Sequence, residues 1–184
     1  MALILLGLAL WVSGHLWNRF LPGAYAAAGK AAYPISAVMI LGALLAMVLG
    51  YRAAPYIELW PQYPWTIYVN NLLMLLAFYV YFQTTTPRGT AWVLGNLKHP
   101  QLSGFCIWGV AHIIANGHLA AVILFGGLIG WAMWEVILIT KHGEKFDRSK
   151  APIKSPWVHL ALSLAVFAIV AGIHAWIGVN PFGA

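Results

Sequence analysis

Asn96-Leu97-Lys98-His99-Pro100-Gln101-Leu102-Ser103-Gly104, running on through Trp108 to His112 and Asn116, sets a loop, a helix start and two histidines against a long apolar run. Proline suits the first helical position because its missing N–H would be unpaired there anyway. The spacing therefore predicts His99 at or beside the N-cap and a helix from Pro100. An imidazole placed inside hydrocarbon is expensive unless it has a partner, so His112 is a candidate functional residue on position alone.

Outward from this segment the chain keeps the same character. Its 184 residues are 62% hydrophobic and 8% charged, with a mean hydropathy of +0.80. That excludes a soluble globular domain, and nearly uncharged runs of about 20 residues read as transmembrane helices. Six stretches approach that length, at 2–19, 32–50, 66–83, 101–116, 118–140 and 157–178. The expected fold is all-α: one integral membrane bundle of six transmembrane helices, a single domain over 1–184. The first stretch has no basic leader and no good cleavage site, so it reads as a retained helix. Asn116-Gly117 is expected to close a tight turn between the fourth and fifth helices. Cys106 is the only cysteine, which excludes an intrachain disulfide and a cysteine-based metal cluster.

The net charge of +6 does not point to nucleic acid, because the basic residues sit in short loops between apolar spans. Arg19 and Lys30 fall in the first loop, Arg88 and Lys98 in the third, and Lys141, Lys145, Arg148, Lys150 and Lys154 in the fifth. Only Arg52 falls on the other side. The positive-inside rule makes those three loops cytoplasmic and puts both termini outside. The fifth loop, which also carries Glu144 and Asp147, reads as a topology determinant with some attraction to anionic lipid. The second loop, Tyr51 to Trp65, is rich in Pro, Tyr and Trp and reads as an interfacial loop with Glu58 exposed. Expected partners are membrane lipid, other membrane proteins or a second copy of the chain, for which Gly126, Gly127 and Gly130 offer small-residue faces.

Counting about 1.5 Å per residue places His15 in the inner half of the first helix and His99 at the inner mouth of the fourth. His112 and His174 fall toward the outer side, His118 at the outer turn, His159 in the first turn of the last helix and His142 in the cytoplasmic loop. By this count His15 is more nearly level with His99 than with His112, from which it is about two helical turns away. Paired imidazoles in a helical bundle hold a b-type haem without covalent attachment. With four carboxylates in the chain, imidazole plus porphyrin is favoured over a non-haem iron or zinc centre. Ser13 and Gly14 precede His15, and Gly109 and Ala111 precede His112, so small residues give room for a neighbouring helix or a flat macrocycle; Gly109 and Trp108 are the candidate cofactor contacts beside the histidines. Glu135 is the one carboxylate within a span.

Several of these pieces resemble the NnrU family. They are His15-Leu16-Trp17-Asn18-Arg19, Leu49-Gly50-Tyr51-Arg52, the Trp60 to Trp65 loop, the Gly95 to Pro100 element, and Trp108-Gly109-Val110-Ala111-His112-Ile113-Ile114-Ala115-Asn116-Gly117 followed by Leu124-Phe125-Gly126-Gly127. The resemblance covers residues 1–140 and implies a bacterial inner-membrane protein associated with denitrification, needed for nitrite and nitric oxide reductase activity. The family is in turn similar to 15-cis-zeta-carotene isomerase, a membrane b-haem enzyme. That similarity implies haem b with His15 and His112 as ligands. Gly109 stands where the isomerase has a cysteine, and Tyr51-Arg52 and Tyr56 where it has a further histidine. His99 remains the alternative second ligand by depth.

A second resemblance is to isoprenylcysteine and phospholipid methyltransferases, through Lys98-His99-Pro100-x-x-x-Gly104 with Trp108-Gly109. It implies S-adenosylmethionine at the cytoplasmic face; those enzymes follow with a paired Glu-Glu, where this chain has only Glu144 and an isolated Glu135. A haemless accessory or assembly subunit is the third reading.

Overall fold

The computed structural model describes residues 1–143 and 147–182. Their architecture is helical, with no strand among the described residues. Seven helices follow in order: α1 (Ala2–Phe20), α2 (Pro22–Ala28), α3 (Ala32–Arg52), α4 (Pro64–Tyr81), α5 (Pro100–Asn116), α6 (Leu119–Lys141) and α7 (Pro156–Trp176). Proline opens α2, α4, α5 and α7, each time at a position where the absent N–H removes no helical bond. Short 3-10 turns join α2 to α3 at Gly29–Ala31 and extend α4 through Phe82–Thr85. Six of the helices lie where the six apolar stretches predict them. The seventh, α2, is the short piece after Leu21, ended by Gly29 at φ +52°.

The chain divides into two compact units, 1–60 with 117–128 and 61–116 with 129–182. In the first, α1 lies along α3. The buried face of α3 is small, at Ala43, Ala46, Met47 and Gly50. A Cβ on Gly7 would meet the Met47 nitrogen at 2.9 Å, and one on Gly50 would meet the Ile4 nitrogen at 2.7 Å. Trp17 Nε1 donates to Ser36 Oγ at 2.7 Å, a second tie between the same helices. The second loop ends against the turn before α6. Leu59 N and Trp60 N donate to the Gly117 carbonyl at 2.9 and 3.1 Å, and Leu119 N donates to the Ile57 carbonyl at 2.9 Å. Gly117 sits at φ +57°, and a Cβ there would run into the Trp60 carbonyl, so only glycine fits.

In the second unit α4 packs on both α5 and α7. Gly104 of α5 brings the helices together, since its missing Cβ would lie 2.6 Å from the Ala77 carbonyl oxygen. The segment between α4 and α5 is tied down rather than loose. Gln83 Nε2 donates to the Val93 carbonyl at 2.8 Å, Trp92 N donates to Tyr79 Oη at 3.0 Å, and Gly89 N donates to the Gly95 carbonyl at 3.1 Å. Leu94 within it adopts φ +56°, a left-handed conformation that L side chains disfavour.

Outside and inside are reversed relative to a soluble protein. Gly and Ala are buried at the helix contacts, while Val38, Leu41, Leu45, Leu72, Ile137 and Ile169 lie 60–69% exposed. Close backbone approach inside with branched aliphatics outside is how helices pack in lipid. By length and composition four helical runs can cross a membrane: Pro22–Arg52, Pro64–Thr85, Leu119–Lys141 and Pro156–Trp176. Of the six expected spans, the other two are α1, which ends in His15-Leu16-Trp17-Asn18-Arg19, and α5, which has 17 residues. These are also the helices that carry His15 and His112.

Candidate functional site

The two histidines singled out for haem lie in different units and have the same local construction. In α1, His15 Nδ1 donates to the Trp11 carbonyl at 2.9 Å, and the Trp11 and His15 rings are 4.3 Å apart. In α5, His112 Nδ1 donates to the Trp108 carbonyl at 2.9 Å, with those rings 5.0 Å apart. Both side chains are half-buried. A carbonyl can only accept, so each neutral imidazole carries its proton on Nδ1 and its lone pair on Nε2. That is the tautomer, fixed by a backbone partner, in which histidine serves as a metal ligand. Trp-x-x-x-His at 11–15 and 108–112 is a sequence signal for this arrangement, because four residues is one helical turn.

His174 repeats the bond without the tryptophan, donating from Nδ1 to the Val170 carbonyl at 2.8 Å. It lies within electrostatic reach of His112 in the same unit. His99 stands immediately before Pro100, as its spacing predicts. Its carbonyl accepts from Ser103 N at 3.0 Å and Ser103 Oγ at 2.9 Å. Its half-buried imidazole has no hydrogen bond among the described residues, so it is not oriented as those of His15 and His112 are. Thirteen residues of one helix separate His99 from His112, which keeps them at opposite ends of α5.

Two of the remaining three histidines have structural partners. His159 is fully buried, donates from Nε2 to the Tyr79 carbonyl at 2.9 Å and lies on the Tyr79 ring at 4.4 Å. His118 Nε2 is 3.0 Å from Tyr51 Oη, and the Tyr51 and Tyr56 rings flank it at 5.4 and 5.2 Å. Burial holds the His118 pKa below the usual imidazole value. His142 is exposed.

The small residues beside the candidate ligands take up helix packing in part. A Cβ on Gly14 would be 2.9 Å from Ile40 Cγ1 of α3. Gly109 and Ala111 are both buried within the second unit. Trp108 also packs on Phe105, which meets Trp131 edge-on at 5.5 Å. Glu135 is half-buried on α6. Glu144, the other carboxylate of the methyltransferase resemblance, and Lys145 of the charge count lie outside the described residues. Among the described residues no group of three or more His, Cys, Asp or Glu gathers as a metal cluster would.

The fifth loop holds a residue that charge counting does not resolve. Arg148 is 2% exposed, where a topology determinant is expected to be solvated. It donates from Nη1 to the Gln83 carbonyl at 2.7 Å and from Nη2 to the Gly95 and Leu97 carbonyls at 3.2 and 3.1 Å.

Apolar helices packed through glycine and alanine, four of them long and apolar enough to cross a membrane, define a helical protein of membrane type, with matching imidazole settings on α1 and α5. The chain belongs to the NnrU family: the family model described as NnrU protein matches residues 3–181, taking in α7 as well as the region up to residue 140. No curated protein and no solved structure matches it.

Proposed function

We propose that this NnrU-family protein is a b-type haem protein of the bacterial inner membrane, associated with nitrite and nitric oxide reduction. The observation that supports it is the shared tautomer of His15 and His112, each with its proton held on Nδ1 by a bond to the carbonyl one turn back, the form in which histidine ligates a metal. His15 and His112 would each be able to hold the haem iron, and His99 and His174 are the other candidates for a second ligand. A haem held by histidines supplies electron transfer, or a coordination position for a small diatomic such as nitric oxide once one ligand is labile. The chain's own part is to orient the imidazoles and to keep water away with the tryptophans packed against them. Six transmembrane spans with both termini on the outer side belong to the same proposal, resting on the distribution of Lys and Arg.

The test is the absorption spectrum of the detergent-purified full chain. A Soret band with reducible alpha and beta bands is expected, altered or lost in His15→Ala. Comparing His112→Ala, His99→Ala and His174→Ala then identifies the second ligand. A colourless preparation that binds S-adenosylmethionine would establish the methyltransferase reading instead. A colourless one that binds neither leaves the accessory subunit.

A further inference from the structure

We propose that the segment joining α4 to α5, held in place by Arg148, is a binding site for the phosphate of an anionic phospholipid headgroup, with Lys98 and Arg88 as its accessible cations. The three carbonyls that Arg148 binds disperse its charge but do not cancel it. No described carboxylate pairs with it, and its Nε is buried with no partner among the described residues. Arg148 is enclosed and does not line the recess, so it contributes by fixing the backbone there and by leaving a net positive charge behind it. The one described carboxylate of the same loop, Asp147, is taken by Ser149, which donates from N at 2.9 Å and from Oγ at 3.0 Å.

Two of the residues whose carbonyls Arg148 holds, Gly95 and Leu97, line an open recess of about 640 Å³ together with Gly89, Trp92, Leu94 and Lys98. Arg88 and Lys98, both exposed, bracket the segment in sequence. A soluble anion would need no more than this. The same segment, however, turns Trp92, Val93 and Leu94 outward at 54, 52 and 48% exposure, and Trp157, 69% exposed, meets Trp92 edge-on at 4.6 Å. Cations beside exposed tryptophan and aliphatic side chains match a lipid, whose phosphate is followed directly by glycerol and acyl chains. The inference rests on the chain's residence in a membrane and not on haem, so a colourless protein leaves it standing.

The experiment is native mass spectrometry of the delipidated full chain in detergent, titrated with phosphatidylglycerol or phosphatidylcholine. Phosphatidylglycerol should bind the more tightly. Arg88→Ala and Lys98→Ala should each weaken it about fivefold, the contribution of one basic residue at a membrane surface, and weaken phosphatidylcholine less, because its choline already neutralises the phosphate. Trp92→Ala should weaken both lipids. Arg52→Ala, an exposed cation of the other unit, should change neither. Melting temperatures of the variants serve to check folding, and all four sites are exposed. Equal binding of the two lipids, undiminished preference in the Arg88→Ala/Lys98→Ala double variant, or an equal loss in Arg52→Ala would overturn the proposal. Displacement of phosphatidylglycerol by millimolar inorganic phosphate would also overturn it, as a site for a soluble anion.

Discussion

Arg148 shows how a single side chain can organise a loop. Truncating it would leave the carbonyls of Gln83, Gly95 and Leu97 without their donor in a buried place. Arg148→Ala should therefore cost about 3 kcal/mol, read as a lowered melting temperature in detergent. Arg148→Lys should recover only part of it, because one ammonium cannot span three carbonyls as a planar guanidinium does. His118 gives a pH dependence of definite sign. Burial depresses its pKa below 6.5 in the folded chain, so below pH 6.5 the unfolded chain binds more protons than the folded one. Stability should fall as pH drops from that value through the folded pKa, and His118→Asn should flatten the melting profile over that window. The sequence carried the position of His99 before α5 because proline chemistry is local. It did not carry the burial of Arg148, since a cation's partners here are carbonyls 51, 53 and 65 residues away.

At the scale of elements, the helix contacts depend on the absence of Cβ atoms. Gly104→Val would drive a side chain into the Ala77 carbonyl and the Tyr81 backbone of α4. It should destabilise by about 1–3 kcal/mol, with the loss visible in thermal melts of the solubilised protein. A Gly42→Ala change, where a Cβ would meet nothing within 4 Å, is the matched control and should be neutral or slightly stabilising. Apolar run length fixed the six long helices to within a few residues, and Pro64, Pro100 and Pro156 mark three of their starts. The short α2 was not evident, because Pro22-Gly23 reads as a break and seven residues are too few for a periodic pattern. The strap from Ile57 to Trp60 against Gly117 was not evident either, since its bonds are made by backbone, which has no sequence signature.

For the whole molecule, single cysteines introduced on a Cys106→Ser background should divide by side. In inverted against right-side-out vesicles, an impermeant maleimide should label Arg88→Cys and Lys150→Cys from one face and Glu58→Cys from the other. Labelling of all three from one face would remove the proposed topology. Membership of the NnrU family could be read from Ala111-His112 and its neighbours, because motif residues are contiguous. Depth counting could not choose between His99 and His112 as partner of His15 in the proposed haem site, because it treats helices as straight and parallel; what the structure adds is local, a fixed tautomer on His15 and His112 and none on His99.

Leu94 carries a consequence of its own. Glycine or asparagine would occupy its backbone conformation at lower energy, so Leu94→Asn should raise stability by about 1 kcal/mol. The same change would remove a four-carbon group held out from the surface, and binding of phospholipid to this segment should weaken even as the fold becomes more robust. At this position robustness and adhesion are set against each other by one side chain.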